Sequence, residues 1–242
     1  MIRSSPEPAV YNMALDEKIF NRYLKDGIPV LRLYRWKSPA FTYGVTQHPE
    51  NEIDFKRCLS DKVEVVKRIT GGGILFHNDE ITYSFVCSKQ DIGEPPEILV
   101  SYKQICAFLI RFYASLGLCP SFALESEGFQ KRCEPNELCS ASYEKYDILV
   151  RGRKIGGNAQ KRKRTVIFQH GSIPCSIDWS LPQRYLKSLP EDISLSVTSL
   201  SEELAQVPDK DILEEKLIAV FGDTFGVSFN EEKEFIDEAC LA

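Results

Sequence analysis

Residues 67–79, KRITGGGILFHND, set three consecutive glycines between Arg68 and His77. Glycines in a row let the backbone turn tightly and approach a ligand with no Cβ in the way. Where exposed, their N–H groups bind carboxyl or phosphate oxygens. Further along, RKIGGNAQ surrounds Lys154 with the small residues Gly156, Gly157 and Ala159, and FQHGS puts His170 beside Gly171. Small residues next to a lysine leave room for a long ligand beside its amine. Neither the Walker pattern nor the six-residue dinucleotide fingerprint is matched. Taken singly, each feature reads better as structure: a strand-ending turn, a solvated Lys154, a histidine satisfied in the core.

The elements that must position these residues follow from apolar spacing. YNMALDEKIFNRYLKDG predicts a helix capped by Asn12, with Asp16 and Glu17 in its first turn, Gly27 at its end, and Leu15, Ile19, Tyr23 and Leu24 as its apolar stripe. IPVLRLYRW, AFTYGVTQ and VEVVKRI read as strands, the last leading into the glycines. GILFHND and EITYSFVCS follow as a hairpin pair. Tyr102, Ile105, Leu109, Phe112 and Leu116 recur at helical spacing and predict a helix over 98–118, ending at Gly117 or Pro120. The segment ALESEGFQKRCEPNELCSASYEK is longer than an ordinary connection, and loops of that length are functional or disordered. YDILVRGRKIGGNAQ reads as a hairpin turning at RGRK, and TVIFQHGSIP as a strand. Beyond Trp179 the pattern becomes helical and acidic, with helices over 181–189, 209–221 and 231–241. Many strands with few long helices predict an α+β fold, a mixed or antiparallel sheet core flanked by helices. The domain expected is single, 1–242, with 179–242 a helical C-terminal extension.

Composition narrows the function. With 43% apolar and 27% charged residues the chain has ordinary globular composition. Its formal net charge of −5 argues against nucleic-acid binding. No apolar run is long enough to span a membrane, and the start, MIRSSPEPAVYN, lacks a signal peptide's apolar core. A cytoplasmic location is expected. Eight cysteines are scattered without a C-x-x-C pair, so no metal site is expected, and several sit in apolar segments as small buried hydrophobes. The basic run KRKR, 161–164, reads either as a solvated loop or as a docking patch for an acidic partner.

Taken together and in order, YNMALDE, KRITGGGILFHND, RKIGGNAQ and FQHGSIP resemble the lipoate–protein ligase and octanoyltransferase family, whose fold biotin protein ligases share. The resemblance covers roughly residues 12–174, and it implies a biotin/lipoate-ligase-like catalytic domain. A family-like first strand would have to be built from MIRSSPEP. The resemblance implies that Arg68, Thr70, Gly71, Gly72 and Gly73 line an acyl pocket and its polar end, with His77 closing the same loop. It implies that Lys154 contacts the acyl carbonyl, that Gly156 and Ala159 form the facing wall, and that His170 supports the site. The physical sense is consistent, because an oxyanion developing on a thioester or acyl-adenylate needs a cationic or N–H donor.

Two chemistries occur in that family. Octanoyltransferases move octanoate from acyl carrier protein to a lysine of lipoyl domains, those of 2-oxoacid dehydrogenases or the glycine cleavage H protein. Ligases activate free lipoate with ATP and Mg through an adenylate. One transferase branch uses a cysteine in the loop before the RK hairpin, and Cys139, fifteen residues before Lys154, matches its spacing. A thiolate beside a cation is a good nucleophile toward a thioester. The resemblance therefore implies Cys139 and Lys154 as catalytic residues of a transferase that needs no cofactor. The alternatives are an ATP-dependent ligase, which the all-glycine run favours and in which Cys139 is incidental, and a non-catalytic protein that binds lipoyl domains or acyl carriers.

Overall fold

The first amphipathic stretch folds as helix α1 (Ala9–Asp26) in the computed structural model, which describes residues 1–95, 97–126, 144–188 and 193–231. Pro8 stands at its N-cap, so the helix begins before the expected cap. Asn12 lies inside it, buried, and its amide donates to the carbonyls of Glu7 and Arg35. Asp16 faces the interior, and of the expected stripe Leu15, Ile19 and Tyr23 are buried while Leu24 is exposed. Gly27 ends the helix at φ 69°, a conformation that suits a residue without a Cβ.

The strands form three sheets. The main sheet runs β1 (Ile2–Arg3), β2 (Val30–Tyr34), β6 (Glu80–Ser88), β11 (Val166–Pro174), β10 (Asn158–Lys163), with β1 parallel to β2 and the rest antiparallel. A second sheet runs β4 (Glu64–Lys67), β3 (Ala40–Tyr43), β5 (Leu75–His77), with β3 parallel to β4 and antiparallel to β5. Between β3 and β4 lies the short helix α2 (Phe55–Ser60), capped by the Asp54 carboxylate. The third sheet runs β12 (Val197–Thr198), β9 (Arg153–Ile155), β8 (Ile148–Val150), β7 (Pro120–Phe122). The fold is α+β, with mixed sheets and covering helices.

Three sequence expectations are corrected. First, β5 and β6 are no hairpin: β5 pairs with β3, whereas β6 pairs with β2 and β11. Almost every residue of β6 is buried on both faces, which requires a central strand, and the Asn78–Asp79 turn carries the chain from one sheet to the other. Second, KRKR is not a solvated loop. Lys161, Arg162 and Lys163 belong to β10, and Arg164 turns the chain into β11 at φ 55°. Arg162 is turned inward onto Gln160 and the Ile98 carbonyl, leaving Lys163 and Arg164 exposed. Third, the part after Trp179 is divided differently from the expectation: the helix over 209–221 forms, the one over 181–189 is a single turn, and two further short helices and a strand lie between them. It gives α4 (Ser180–Gln183), α5 (Ile193–Ser196), β12, α6 (Leu200–Glu203) and α7 (Lys210–Phe225). The expected helix over 231–241 lies, from residue 232 on, outside the described residues.

The long helix α3 (Ile98–Ser115) forms as its spacing predicts, and Gly117 beyond it takes φ 84°. Its Ile105, Phe108, Leu109 and Phe112 share one core with Leu213, Leu217 and Phe221 of α7 and with the main sheet's Tyr83 and Phe85. Phe108 and Phe221 meet edge to face at 5.0 Å. Arg35 fastens α7 further through Glu214 at 2.7 Å. No described helix is long and apolar enough to cross a membrane.

Candidate active site

The hairpin β8–β9 explains where Lys154 points. Its backbone pairs with Leu149, so its side chain shares a face with residues 149 and 147. Asp147 stands just before β8, and its carboxylate lies 2.7 Å from the Lys154 ammonium, both side chains being less than 5% exposed. The same Asp147 oxygen accepts the N–H of Glu144 at 2.7 Å. A buried cation of this kind is tolerable because it is paired and hydrogen-bonded. Arg151 and Gly152, both at positive φ, make the tight turn that sets this register.

Lys154 lines a cavity of about 720 Å³, counting its open mouth. All three sheets contribute: Leu75 and Phe76 of β5, Glu80 and Ser172 of the main sheet, Lys154 and Val197 of the third. Gly156 and Gly157 carry the chain from β9 to β10 along its wall. Gly156 has φ 76°, and a Cβ there would stand 2.1 Å from the Ser172 carbonyl oxygen. Trp179 lines the cavity as well. A smaller, narrow and mostly apolar slot adjoins it, about 290 Å³ counting open solvent, sharing Leu75, Gly157 and Ser172, with Met13, Trp36, Arg68, His77, Ala159 and His170 around it.

Thus Lys154 and Gly156 line the larger cavity, and Arg68, His77, Ala159 and His170 line the slot. Thr70, Gly71, Gly72 and Gly73 are not among the residues lining either one. Cys139 lies outside the described residues, as does Cys133. Among the described cysteines, Cys58, Cys87, Cys106 and Cys175 are buried, and burial pushes Cys106 and Cys175 up to about 12, which keeps them as thiols.

The glycine run is held from inside. Arg68 is 1% exposed; its Nη2 donates to the carbonyls of Gly71 and Gly73, and its Nε donates to Thr70 Oγ1. Gly72 takes φ 87°, and its carbonyl oxygen packs against Gly44, where a Cβ would stand at 2.1 Å. Thr70 Oγ1 lies 2.7 Å from His170 Nε2. Nδ1 of His170 faces Asp16 at 3.5 Å. His77 stacks on Trp36 with ring centroids 4.0 Å apart, and its nitrogens meet Glu80 Oε1 at 2.9 Å and Thr42 Oγ1 at 2.8 Å.

Asp16 joins this network to α1. It accepts from Arg32, Tyr34 and Ser84 at 2.8–3.0 Å. Burial alone would raise its pKa, but the hydrogen bond from His170 and the Arg32 charge outweigh that and hold it below the ordinary carboxylate value. Burial lowers the His170 pKa against the pull of Asp16, so the ring is neutral at physiological pH. Sequence reading missed Asp147, Trp36, Glu80, Thr42 and Asp16 as site residues. Asp147 alone had a signal, its position on the Lys154 face of the RGRK hairpin; the others meet through long-range sheet pairing.

The family model of the lipoyl protein ligase A/B catalytic domain matches residues 8–222. A relative from Oceanobacillus iheyensis, named octanoyltransferase LipM, is 34% identical over 178 residues, covering 73% of this chain and 64% of its own. Another protein of that name, from Clostridioides difficile, is 26% identical over 98% of this chain and 93% of its own. The chain spans about two thirds of the length of the more identical relatives, 64% and 66% for the first two. The crystal structure of a lipoate-protein ligase A bound with ATP superposes with a TM-score of 0.76 at 20% identity, over 99% of this chain and 90% of its own. A bi-partite lipoate protein ligase from Thermoplasma acidophilum gives 0.75 at 18%, over 99% of this chain and 89% of its own, and shows the same fold. The chain belongs to the lipoyl protein ligase A/B catalytic-domain family.

Proposed function

We propose that this chain transfers an octanoyl group from a thioester on acyl carrier protein to a lysine of a lipoyl domain, by way of a thioester on Cys139. The observation that carries the reading is the buried Lys154 ammonium, fixed by Asp147 at the wall of a cavity that adjoins a mostly apolar slot. The slot suits a linear alkyl chain, and the ammonium suits the oxyanion of an attacked carbonyl at the slot's mouth. Relatives named octanoyltransferase support the same reading.

In the first step the Cys139 thiolate attacks the donor carbonyl, a new C–S bond forms, and the carrier thiolate leaves with the electron pair of the broken one. In the second step the neutral amine of the acceptor lysine attacks that thioester, the amide C–N bond forms as the C–S bond breaks, the Cys139 sulfur leaves with that electron pair, and the amine's surplus proton passes to solvent. Lys154 stabilises the negative oxygen in both steps. The thioester itself supplies the activation, so no nucleotide or metal takes part. The acceptor is a lipoyl domain of a 2-oxoacid dehydrogenase or a glycine cleavage H protein, and the protein works in the cytoplasm.

Intact mass spectrometry after mixing with octanoyl-acyl carrier protein, without ATP, tests this beside Cys139→Ser. One hydroxylamine-labile octanoyl adduct, absent from the variant, is expected. Absence of an adduct, with lipoate transfer appearing only when ATP and magnesium are added, would make the protein a ligase and Cys139 a bystander.

A further inference from the structure

Arg68 is the point where two similar chains of polar contacts meet, the Asp16–His170 link at 3.5 Å being the longest. One runs from Asp16 through His170 to Thr70 Oγ1, which accepts from Arg68 Nε at 3.2 Å. The other runs from Glu80 through His77 to Thr42 Oγ1, which accepts from Arg68 Nη1 at 3.3 Å. Each is a carboxylate, a histidine, a threonine and then the guanidinium. The first comes from α1 and β11, the second from β6, β5 and β3, so Arg68 is approached from both sides of the site. The guanidinium then holds the carbonyls of Gly71 and Gly73.

Proton order decides what these chains do. A carboxylate oxygen only accepts, so each histidine presents Nδ1–H to it, and in the neutral ring Nε2 is then bare. Nε2 then accepts the single hydroxyl proton of its threonine, which turns a threonine lone pair toward Arg68. In the opposite tautomer Nε2–H would compete with the Arg68 N–H for that oxygen, and the hydroxyl proton would lose its acceptor. Trp36 and Thr82 also donate to Glu80 Oε1, at 3.0 and 2.7 Å, which fixes that carboxylate as the accepting end.

We propose that these two histidine relays position Arg68, and through it set the shape of the glycine run. Asp16, Thr42 and Glu80 become positioning residues alongside Thr70, His77 and His170. The inference rests on the acyl-transfer reading only for its effect on rate; the hydrogen-bond order stands independently of it.

The test uses Thr70→Val and Thr42→Val, which keep volume and remove the hydroxyl, with Thr70→Ser and Thr42→Ser, which restore it. Each valine variant is expected to slow octanoyl loading by about tenfold, while each serine variant stays within about threefold of the parent. Because both hydroxyls act through one guanidinium, the double valine variant is expected to lose far less than the product of the two effects. Valine variants that load like the parent, serine variants as poor as valine, or multiplicative losses would overturn the proposal. Nitrogen-15 spectra of the parent decide the hydrogen-bond order even where a variant fails to fold. His170 and His77 must both show the Nδ1–H tautomer, and an Nε2–H signal from either removes its relay. A parent that takes no acyl group from any donor would defeat the transfer reading while leaving this spectrum to stand.

Discussion

Lys154 and Asp147 sit on the same face of one hairpin, ammonium and carboxylate 2.7 Å apart, both withdrawn from solvent at a cavity wall. Neither charge is stable there alone. Lys154→Ala should reduce acyl transfer by about a hundredfold or more, the scale of losing one oxyanion donor. Asp147→Asn leaves the lysine charge half-satisfied, and it should lower transfer and cost roughly 3 kcal/mol in urea unfolding. A Lys154→Ala protein that transfers at the parent rate would show that the site lies elsewhere.

The glycines differ sharply in what they tolerate. A Cβ at Gly44 would lie 2.1 Å from the Gly72 carbonyl oxygen, whereas one at Gly71 meets nothing within 4 Å. Gly44→Ala should therefore lower the melting temperature by several degrees, through a backbone displacement costing about 2 kcal/mol. Gly71→Ala should unfold close to the parent. Equal melting temperatures for the two would contradict the packing of Gly44 against the glycine run.

Acid should weaken the fold in two stages. The folded pKa of His170 is lowered by burial from 6.5, so the unfolded chain binds that proton first, and stability is full above 6.5 and declines as pH falls below it. Asp16 is held below 3.8 despite burial, by His170 and Arg32, so its contribution is present above 3.8 and is lost as pH falls further. Both slopes have the same sign. Unfolding free energy measured from pH 8 to pH 3 should hold level down to about 6.5 and decline below it, and His170→Gln should flatten the first decline.

Helix α7 belongs to the same core as α3, and Phe221 stands at their contact, 2% exposed. Phe221→Ala should cost about 3–5 kcal/mol, as a cavity in a well-packed core does. A loss below 1 kcal/mol in chemical denaturation would mean that α7 covers the core without supporting it.

What the sequence disclosed, and what it hid, divides along range. Helix α3, strand β11 and the β8–β9 hairpin were readable because their signals, helical spacing, a short run rich in β-branched and aromatic residues, and a turn dipeptide, lie within a few residues of one another. The pairing of β5 with β3 was not readable, because the turn at Asn78 looks the same whether the next strand folds back or crosses to another sheet. Lys154, Gly156 and His170 stood out by type and by their small neighbours. Asp16 was misread as a first-turn acid, since a carboxylate facing solvent at a helix start and one buried beneath Arg32 differ only in what a distant strand brings to them. Thr42 and Glu80 carry no local mark at all.

The cavity lies where the chain leaves one sheet and enters another, with walls drawn from all three. Under the proposed acyl transfer, an occupant there would be a keystone as well as a substrate. It would touch β5, the main sheet and β9 at once, and so would resist any sliding of one sheet against another. Inherited changes that loosen one sheet would then alter which acyl chain fits. In such an architecture robustness and selectivity cannot drift separately, and a lineage that changes its ligand must also retune its joints.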